Sequence, residues 1–353
     1  MSERDDLLAS VADTIKTYRT DELAQPTPAH VERWLSQFTP ANQLPFLKEF
    51  DHVLKQTFIT KDKVENHLEG LVTSKEIAGD SPAAYWQSAH FLKIQQNGQS
   101  QKEMLKLFGK CLSDEYGFEL DNCGRSDGDY IYLDDVLFSG KRIVDDLKDW
   151  IVDDAPQSAK VHVIVAAIHT LGQYLTEQKL KKVIKESGKE INLVYWHEED
   201  LEIENRKYYK NSSGVLWPTA IPNVAEVQGY MALPSKYPFE PRQAGGAVVA
   251  PFSSEQGRQV LEREFLIAGA KIISLSENPT ASMRPLGFSP FGVGFGSMIA
   301  TYRNCPNNCP LALWWGNPEA TSGALHWYPL LQRKTYATAT LENINDSIDD
   351  LTT

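Results

Sequence analysis

The chain has 353 residues, of which 42% are hydrophobic and 23% charged, values of a globular protein long enough for one large domain or two ordinary ones. Its net charge of -12 argues against broad, sequence-independent binding to nucleic acid or to anionic membrane, and leaves room only for a local basic patch. The first residues are polar and no run is long and apolar enough to span a bilayer, so the expectation is a cytoplasmic protein without membrane contact. The four cysteines lack zinc-ligand spacing, and a reduced state is expected; a disulfide or half a metal site at Cys305 and Cys309 is the less favoured alternative.

Val31, Trp34, Leu35 and Phe38 fall at i, i+3, i+4 and i+7, and Thr27-Pro28 precedes them as a helix start. Leu47, Phe50, Leu54 and Phe58 repeat the spacing, and residues 60–71 suggest another helix. The break Gly79-Asp80-Ser81-Pro82 marks a boundary between an N-terminal helical region, 1–82, and an α/β domain, 83–340, with an acidic tail at 341–353. Residues 86–94 are aromatic and apolar. The polar turn Asn97-Gly98-Gln99-Ser100-Gln101 leads into a helix with Met104, Phe108, Cys111 and Leu112 on one face and Ser100 placed as N-cap.

The apolar run Tyr130-Ile131-Tyr132-Leu133 ends in two carboxylates, Asp134-Asp135. After Val136-Leu137-Phe138 comes the turn Ser139-Gly140-Lys141-Arg142. A helix follows, with Ile143, Val144, Leu147, Trp150 and Ile151 on its apolar face and Asp145, Asp146, Lys148 and Asp149 largely opposite. A strand that lifts acids to the carboxyl edge of a sheet, followed by N–H groups at a helix start, suits a phosphorylated sugar. The plainer alternative is an ordinary strand–turn–helix corner. Residues 161–168 form a continuous apolar strand, 171–187 a helix and 191–196 a further strand. Residues 130–196 thus read βαβαβ, an α/β fold with a doubly wound, mainly parallel sheet.

Beyond this core, 205–242 shows no clear period. Residues 253–270 read as a helix capped by Ser253 or Ser254, 271–275 as a short strand, and 292–303 as a return to the sheet. His169-Thr170 can meet an acceptor at the sheet edge, or His169 is a satisfied structural histidine, the favoured reading. His197-Glu198-Glu199-Asp200 reads as a solvated acidic turn before a metal site. In Tyr302-Arg303-Asn304-Cys305-Pro306-Asn307-Asn308, Arg303 and Asn304 can hydrogen-bond a base or phosphate, with Trp314 or Trp315 stacking; equally, this is a Pro/Asn turn with tryptophans in a core.

The Asp134-Asp135 and Ser139-Gly140-Lys141-Arg142 pattern resembles the phosphoribosyl-pyrophosphate (PRPP) motif of type I phosphoribosyltransferases. The resemblance implies that Asp134 and Asp135 are catalytic, on the ribose hydroxyls, and that Ser139, Gly140, Lys141 and Arg142 hold the 5′-phosphate. It also places Ser100 and Gln101 in a pyrophosphate loop and implies Mg2+ as cofactor. The chain departs from the motif in its bulky Tyr132, in Phe138 where a small residue is usual, and in Arg142 where a hydroxyl residue is common. With the Asn97–Gln101 and Arg303–Asn308 segments, the chain is similar to divergent phosphoribosyltransferase-like effectors of bacterial conflict and anti-phage systems, some beside retron reverse transcriptases. That implies a toxin-like effector acting on a nucleotide-like substrate, with Arg303 and Asn304 among its ligand contacts. It also implies partners of reverse-transcriptase or antitoxin type, with a nucleic acid held by the partner. The alternatives are a non-catalytic nucleotide-binding module of the same fold and a metabolic base-salvage phosphoribosyltransferase.

Overall fold

The computed structural model describes residues 2–96, 98–234, 237–277 and 279–333. Asn97 and the acidic 341–353 segment lie outside them. The chain divides into two compact units, Met1–Thr60 with Asn205–Thr353, and Lys61–Glu204. This division differs from the expected boundary after residue 82. The Gly79–Pro82 break only separates two short helices, Lys75–Ala78 and Pro82–Ser88, within one unit. The helices of 1–60 instead find their apolar partners far along the chain.

In the discontinuous unit, helix starts follow local chemistry. Ser2 forms a capping box with Asp5, Thr27 accepts the His30 N–H ahead of Pro28, and Ser254 accepts the Gly257 N–H. The helices Glu3–Thr14, Pro28–Leu35 and Gln43–Thr57 pack on each other, and the last packs on Glu255–Ser274. Trp34 is fully buried among Phe38, Phe46, Phe50 and Phe265 and donates its indole N–H to the Ala312 carbonyl at 2.7 Å. The expected strand at 271–275 is instead the end of the helix Glu255–Ser274. Ala270, Ile272 and Ile273 are buried there, and packing of that face overrides the β preference of the isoleucines. From 292–303 only Ala300–Thr301 forms a strand, and it pairs in parallel with Phe58–Ile59 of the same unit rather than with the main sheet. The irregular stretch before Arg242 is pinned by buried charge: Glu262 receives Arg242 at 2.9 Å and Arg258 at 2.7 Å, and also accepts the Trp217 N–H.

The Lys61–Glu204 unit carries the main sheet. Four parallel strands lie in the order His90–Phe91, Tyr130–Leu133, Ser158–Ile164, Glu190–Trp196. Their register puts Tyr130, Tyr132, Val161, Val163 and Leu193 on one face, under the helices Lys141–Asp153 and Thr170–Ser187. Phe91, Ile131 and His162 lie on the other. There Phe108 of the helix Ser100–Tyr116 and Trp86 meet Phe91. Helices therefore cover both faces, as a doubly wound sheet requires, and the covering helix changes face between His90–Phe91 and Tyr130–Leu133.

The expected continuous strand at 161–168 is interrupted. Ser158–Ile164 ends, and Ala167–His169 resumes in a second parallel sheet of three strands between Val136–Leu137 and Glu202–Ile203. The interruption is level with the acidic pair, where each aspartate accepts the N–H of the next residue through its own side chain. Among the described residues no helix is long and apolar enough to cross a membrane.

Truncating Trp34 empties the space between four phenyl rings. Trp34→Ala is expected to lower unfolding free energy by about 3–5 kcal/mol in denaturant titration; a loss under about 1 kcal/mol would contradict the packing described.

Candidate functional site

The carboxyl edge of the sheet, where the covering helix changes face, is the place at which open α/β sheets bind ligands. Two loops meet at this point: the one after His90–Phe91, which ends at Ser100–Gln101, and the one after Tyr130–Leu133, which carries Asp134 to Gly140.

The two aspartates sit in different surroundings. Asp134 is 3% exposed, whereas Asp135 is half-buried. The Asp134 carboxylate accepts the Asp135 N–H at 2.9 Å and the Ser100 hydroxyl, and lies in the field of Arg142. Burial, helped by the like charge of Asp135, pushes the Asp134 carboxyl up to about 7 against the pull of Arg142 and Ser100. Asp135 accepts the Val136 N–H at 2.9 Å with one carboxylate oxygen, and its carbonyl accepts the Ala166 N–H.

The first loop is held by a reciprocal pair of glutamines. Gln101 Oε1 accepts the Ile94 and Gln95 N–H groups at 2.8 and 2.9 Å, and Gln95 Oε1 accepts the Gln101 N–H at 3.1 Å. Gln95 Nε2 donates to Ser100 Oγ at 3.0 Å, and Arg142 Nη1 donates to the same oxygen at 3.1 Å. Ser100 is therefore not the N-cap expected. Gln99 holds that position without a side-chain cap bond, and the Ser100 hydroxyl joins Asp134 to Arg142 instead. Gly98, at φ +97°, lets the loop close, since a Cβ there would press on Arg142 Nη1 at 3.0 Å. Burial alone would lower the Arg142 guanidinium, but Asp134, Asp135, Tyr132 and Asp146 hold it above its usual value.

The second loop is pinned from behind. Gly140 has φ +76°, and a Cβ there would collide with Thr176 Oγ1; a Cβ on Gly172 would collide with the Phe138 carbonyl. The turn and the helix Thr170–Ser187 therefore meet backbone to backbone. Lys141 forms an ion pair with Asp145 at 3.1 Å, and its N–H lies 3.5 Å from Ser139 Oγ. Phe138 stacks on His169, with ring centroids 5.0 Å apart, which gives its bulk a place. His169 is fully buried, its Nδ1 lies 3.1 Å from the Leu137 carbonyl, and burial pushes it down to about 4, so it is neutral near pH 7 and acts as a structural ring.

A pair not anticipated from the sequence supports the site. Tyr132 donates its buried hydroxyl to Asp146 at 2.8 Å, tying the strand to the helix Lys141–Asp153. Asp146 was expected among solvent-facing acids but is 6% exposed. The available signal was a tyrosine where the strand should bury only apolar atoms, which demands a polar partner.

Ser100, Gln101, Asp134, Asp135, Ser139, Gly140, Lys141 and Arg142 thus belong to one compact unit, and Ser100 and Arg142 join their segments. Arg303 and Asn304 belong to the other unit, where both donate backbone N–H groups to Thr301 Oγ1 at 3.3 Å. Nearby, Trp314 is buried with its indole on the Cys309 carbonyl, Trp315 donates to the Ala324 carbonyl, and Cys305 and Cys309 are free thiols. Glu198 of the acidic turn pairs with His67 at 3.1 Å. Among the described residues no cluster of three or more His, Cys, Asp or Glu side chains is arranged to hold a metal ion.

Residues 31–333 match the model of the family described as PRTase-CE. No curated protein and no solved structure matches the chain.

The raised Asp134 value has a stability consequence. The folded state binds the proton more tightly than the unfolded carboxyl at 3.8, so this group's contribution falls as pH rises from about 4 to about 7 and is then constant. His169, lowered from 6.5 to about 4, acts in the opposite sense over about pH 4 to 6.5. The isolating measurement is the stability difference between wild type and Asp134→Asn across pH 4.5–8.5. Wild type should lose ground to the variant up to about pH 7; a pH-independent difference would contradict the assignment.

Proposed function

The chain belongs to the PRTase-CE family, a phosphoribosyltransferase-like family, and on that premise we propose that the crevice of the Lys61–Glu204 unit binds PRPP and supports glycosyl transfer to a nucleotide-like acceptor. The observation that carries this is the convergence, at the point where helices change face, of the Gln95–Gln101 loop, the acidic pair and the Ser139–Arg142 turn, joined by Ser100 and Arg142.

In such a transfer the bond between the anomeric carbon and the pyrophosphate oxygen breaks, and its electron pair leaves with pyrophosphate. A lone pair on the acceptor forms the new bond at that carbon. Positive charge grows on the ribose ring between these events, and a nearby carboxylate stabilises it. Asp135, the less buried of the two, takes the ribose hydroxyls. Asp134 is a positioning residue, setting Ser100 and Arg142. The 5′-phosphate lies at the start of the helix Lys141–Asp153, where first-turn N–H groups lack intrahelical partners and Lys141 and Arg142 add charge. Ser100 and Gln101 border the pyrophosphate. Mg2+ supplies charge neutralisation when bound; it takes oxygen ligands, for which the Asp135 carboxylate and the pyrophosphate itself are chemically suited.

The biological setting we propose is that of an effector in a bacterial anti-phage system of toxin–antitoxin or retron type. It would be cytoplasmic and restrained by a protein partner that holds a nucleic acid. A second reading, a ligand-binding module without turnover, is favoured by the internal engagement of Arg142 and Ser100, which already have protein partners.

Calorimetric titration of PRPP with Mg2+ tests the proposal. Asp135→Asn and Arg142→Ala should each weaken binding by about tenfold or more, the equivalent of about 1.4 kcal/mol. No binding to wild type, or equal binding to all three proteins, would contradict it. Binding without consumption of PRPP in the presence of partners would select the second reading.

A further inference from the structure

Just past the Lys61–Glu204 unit, the discontinuous unit carries three cations and two tyrosines in five successive residues, Arg206-Lys207-Tyr208-Tyr209-Lys210. Most of them lie on the short 3-10 helix Lys207–Ser212. Tyrosine ordinarily buries its ring and keeps only the hydroxyl wet. Here Tyr208 is 89% exposed and Tyr209 42%.

The tip is fixed from below. Trp217 is half-buried and donates its indole N–H to the Glu240 carbonyl at 2.7 Å, and Asn211 Oδ1 accepts the Gln243 N–H at 2.9 Å. Lys207 and Lys210 both pair with the Glu240 carboxylate, Lys210 at 3.1 Å. The Arg206 guanidinium lies over the Tyr209 ring, 4.6 Å from its centroid, and Tyr208 meets Tyr209 edge-on with centroids 4.9 Å apart. Tyr209 is thus committed to its neighbours, whereas Tyr208 presents its ring to solvent. The tip holds three cations against one carboxylate, a locally positive point in a chain of net charge -12. Exposed ion pairs of this kind contribute about 1 kcal/mol or less, so the lysines exchange Glu240 for another anion at small cost.

We infer that this tip docks a single-stranded nucleic acid. An unpaired base stacks on the Tyr208 ring, and the phosphates beside it meet Arg206, Lys207 and Lys210. Stacking of this kind needs a base whose face is free, which the interior of a duplex does not offer. An acidic peptide would engage the lysines and leave the exposed ring unused, and an apolar protein surface would strand the charges around it; a nucleotide strand alternates ring and phosphate as the tip does. The acidic remainder of the chain repels a long polyanion, so the contact is confined to the few nucleotides at the tip. The inference does not depend on what the crevice of the other unit binds.

The test uses the full chain and fluorescence anisotropy of short labelled oligo(dT) and oligo(U) strands. At least one should bind wild type more tightly than the oligo(dT)·oligo(dA) duplex does, and the tighter strand identifies the sugar. Tyr208→Ala should weaken it about tenfold, whereas Tyr208→Trp, which keeps a stacking face, should retain it. With three cations engaged, log affinity should fall with log salt at a slope of about -2, and Lys207→Gln/Lys210→Gln should reduce that to about -0.7. An unchanged unfolding midpoint verifies that each variant folds, as the exposure of these side chains leads one to expect. Absence of binding, a duplex bound as tightly as the strands, or affinity indifferent to Tyr208→Ala overturns the inference and leaves the tip to a protein partner. A loss confined to Asp135→Asn also overturns it, by placing the strand in the crevice.

Discussion

Burying the carboxyl of Asp134 imposes the constraint around which the crevice is arranged. An uncompensated charge at that depth costs several kcal/mol, so the surroundings must supply hydrogen bonds, opposite charge or a proton. All three contribute: the Asp135 N–H and the Ser100 hydroxyl donate, Arg142 adds charge, and the carboxyl itself is pushed up to about 7. These partners come from the acidic pair, the loop after His90–Phe91 and the first turn of the helix Lys141–Asp153. Satisfying one side chain therefore requires all three segments to be in register. Arg142, which departs from the residue type usual in the phosphoribosyltransferase turn, is the cation that makes this arrangement tolerable.

The same logic accounts for the other departures. A tyrosine in a buried strand needs a polar partner, and Asp146 provides it at 2.8 Å. Phe138 is accommodated because His169, neutral and buried, offers a stacking face. The turn can approach the helix Thr170–Ser187 only because Gly140 and Gly172 lack side chains where Thr176 and the Phe138 carbonyl stand. Each departure from the motif thus has a specific contact: Tyr132 with Asp146, Phe138 with His169, and Arg142 with Ser100.

Much of this unit was legible because its signals are local. The apolar run Tyr130–Leu133, the acids, the glycine turn and the amphipathic helix follow one another within one stretch of chain, and βαβ order constrains the rest. The break at Val165 and Ala166 was not legible, since an apolar run does not show that the N–H groups of Asp135 and Val136 on the neighbouring segment are taken by the Asp134 and Asp135 side chains, which interrupts the ladder there. Nor was the discontinuous unit. Trp34 is bonded to Ala312, and the Cys305 N–H to the Tyr18 hydroxyl, contacts between segments hundreds of residues apart that no local period reports. Ser100 looked like a cap because serine before a helix usually is one; its hydroxyl was claimed instead by Arg142 and Asp134, a competition invisible without the fold.

In the function we propose, a ribose phosphate is held where the two loops meet, with Asp135 rather than Asp134 on the sugar. A crystal structure of the chain with PRPP and Mg2+ tests it most directly. Ribose hydroxyls are expected within hydrogen-bond distance of Asp135 and the 5′-phosphate on the N–H groups of Ser139 to Arg142, with Asp134 still bonded to Ser100. PRPP bound elsewhere, or bound here with its ribose on Asp134 and the Ser100 contact broken, would contradict it.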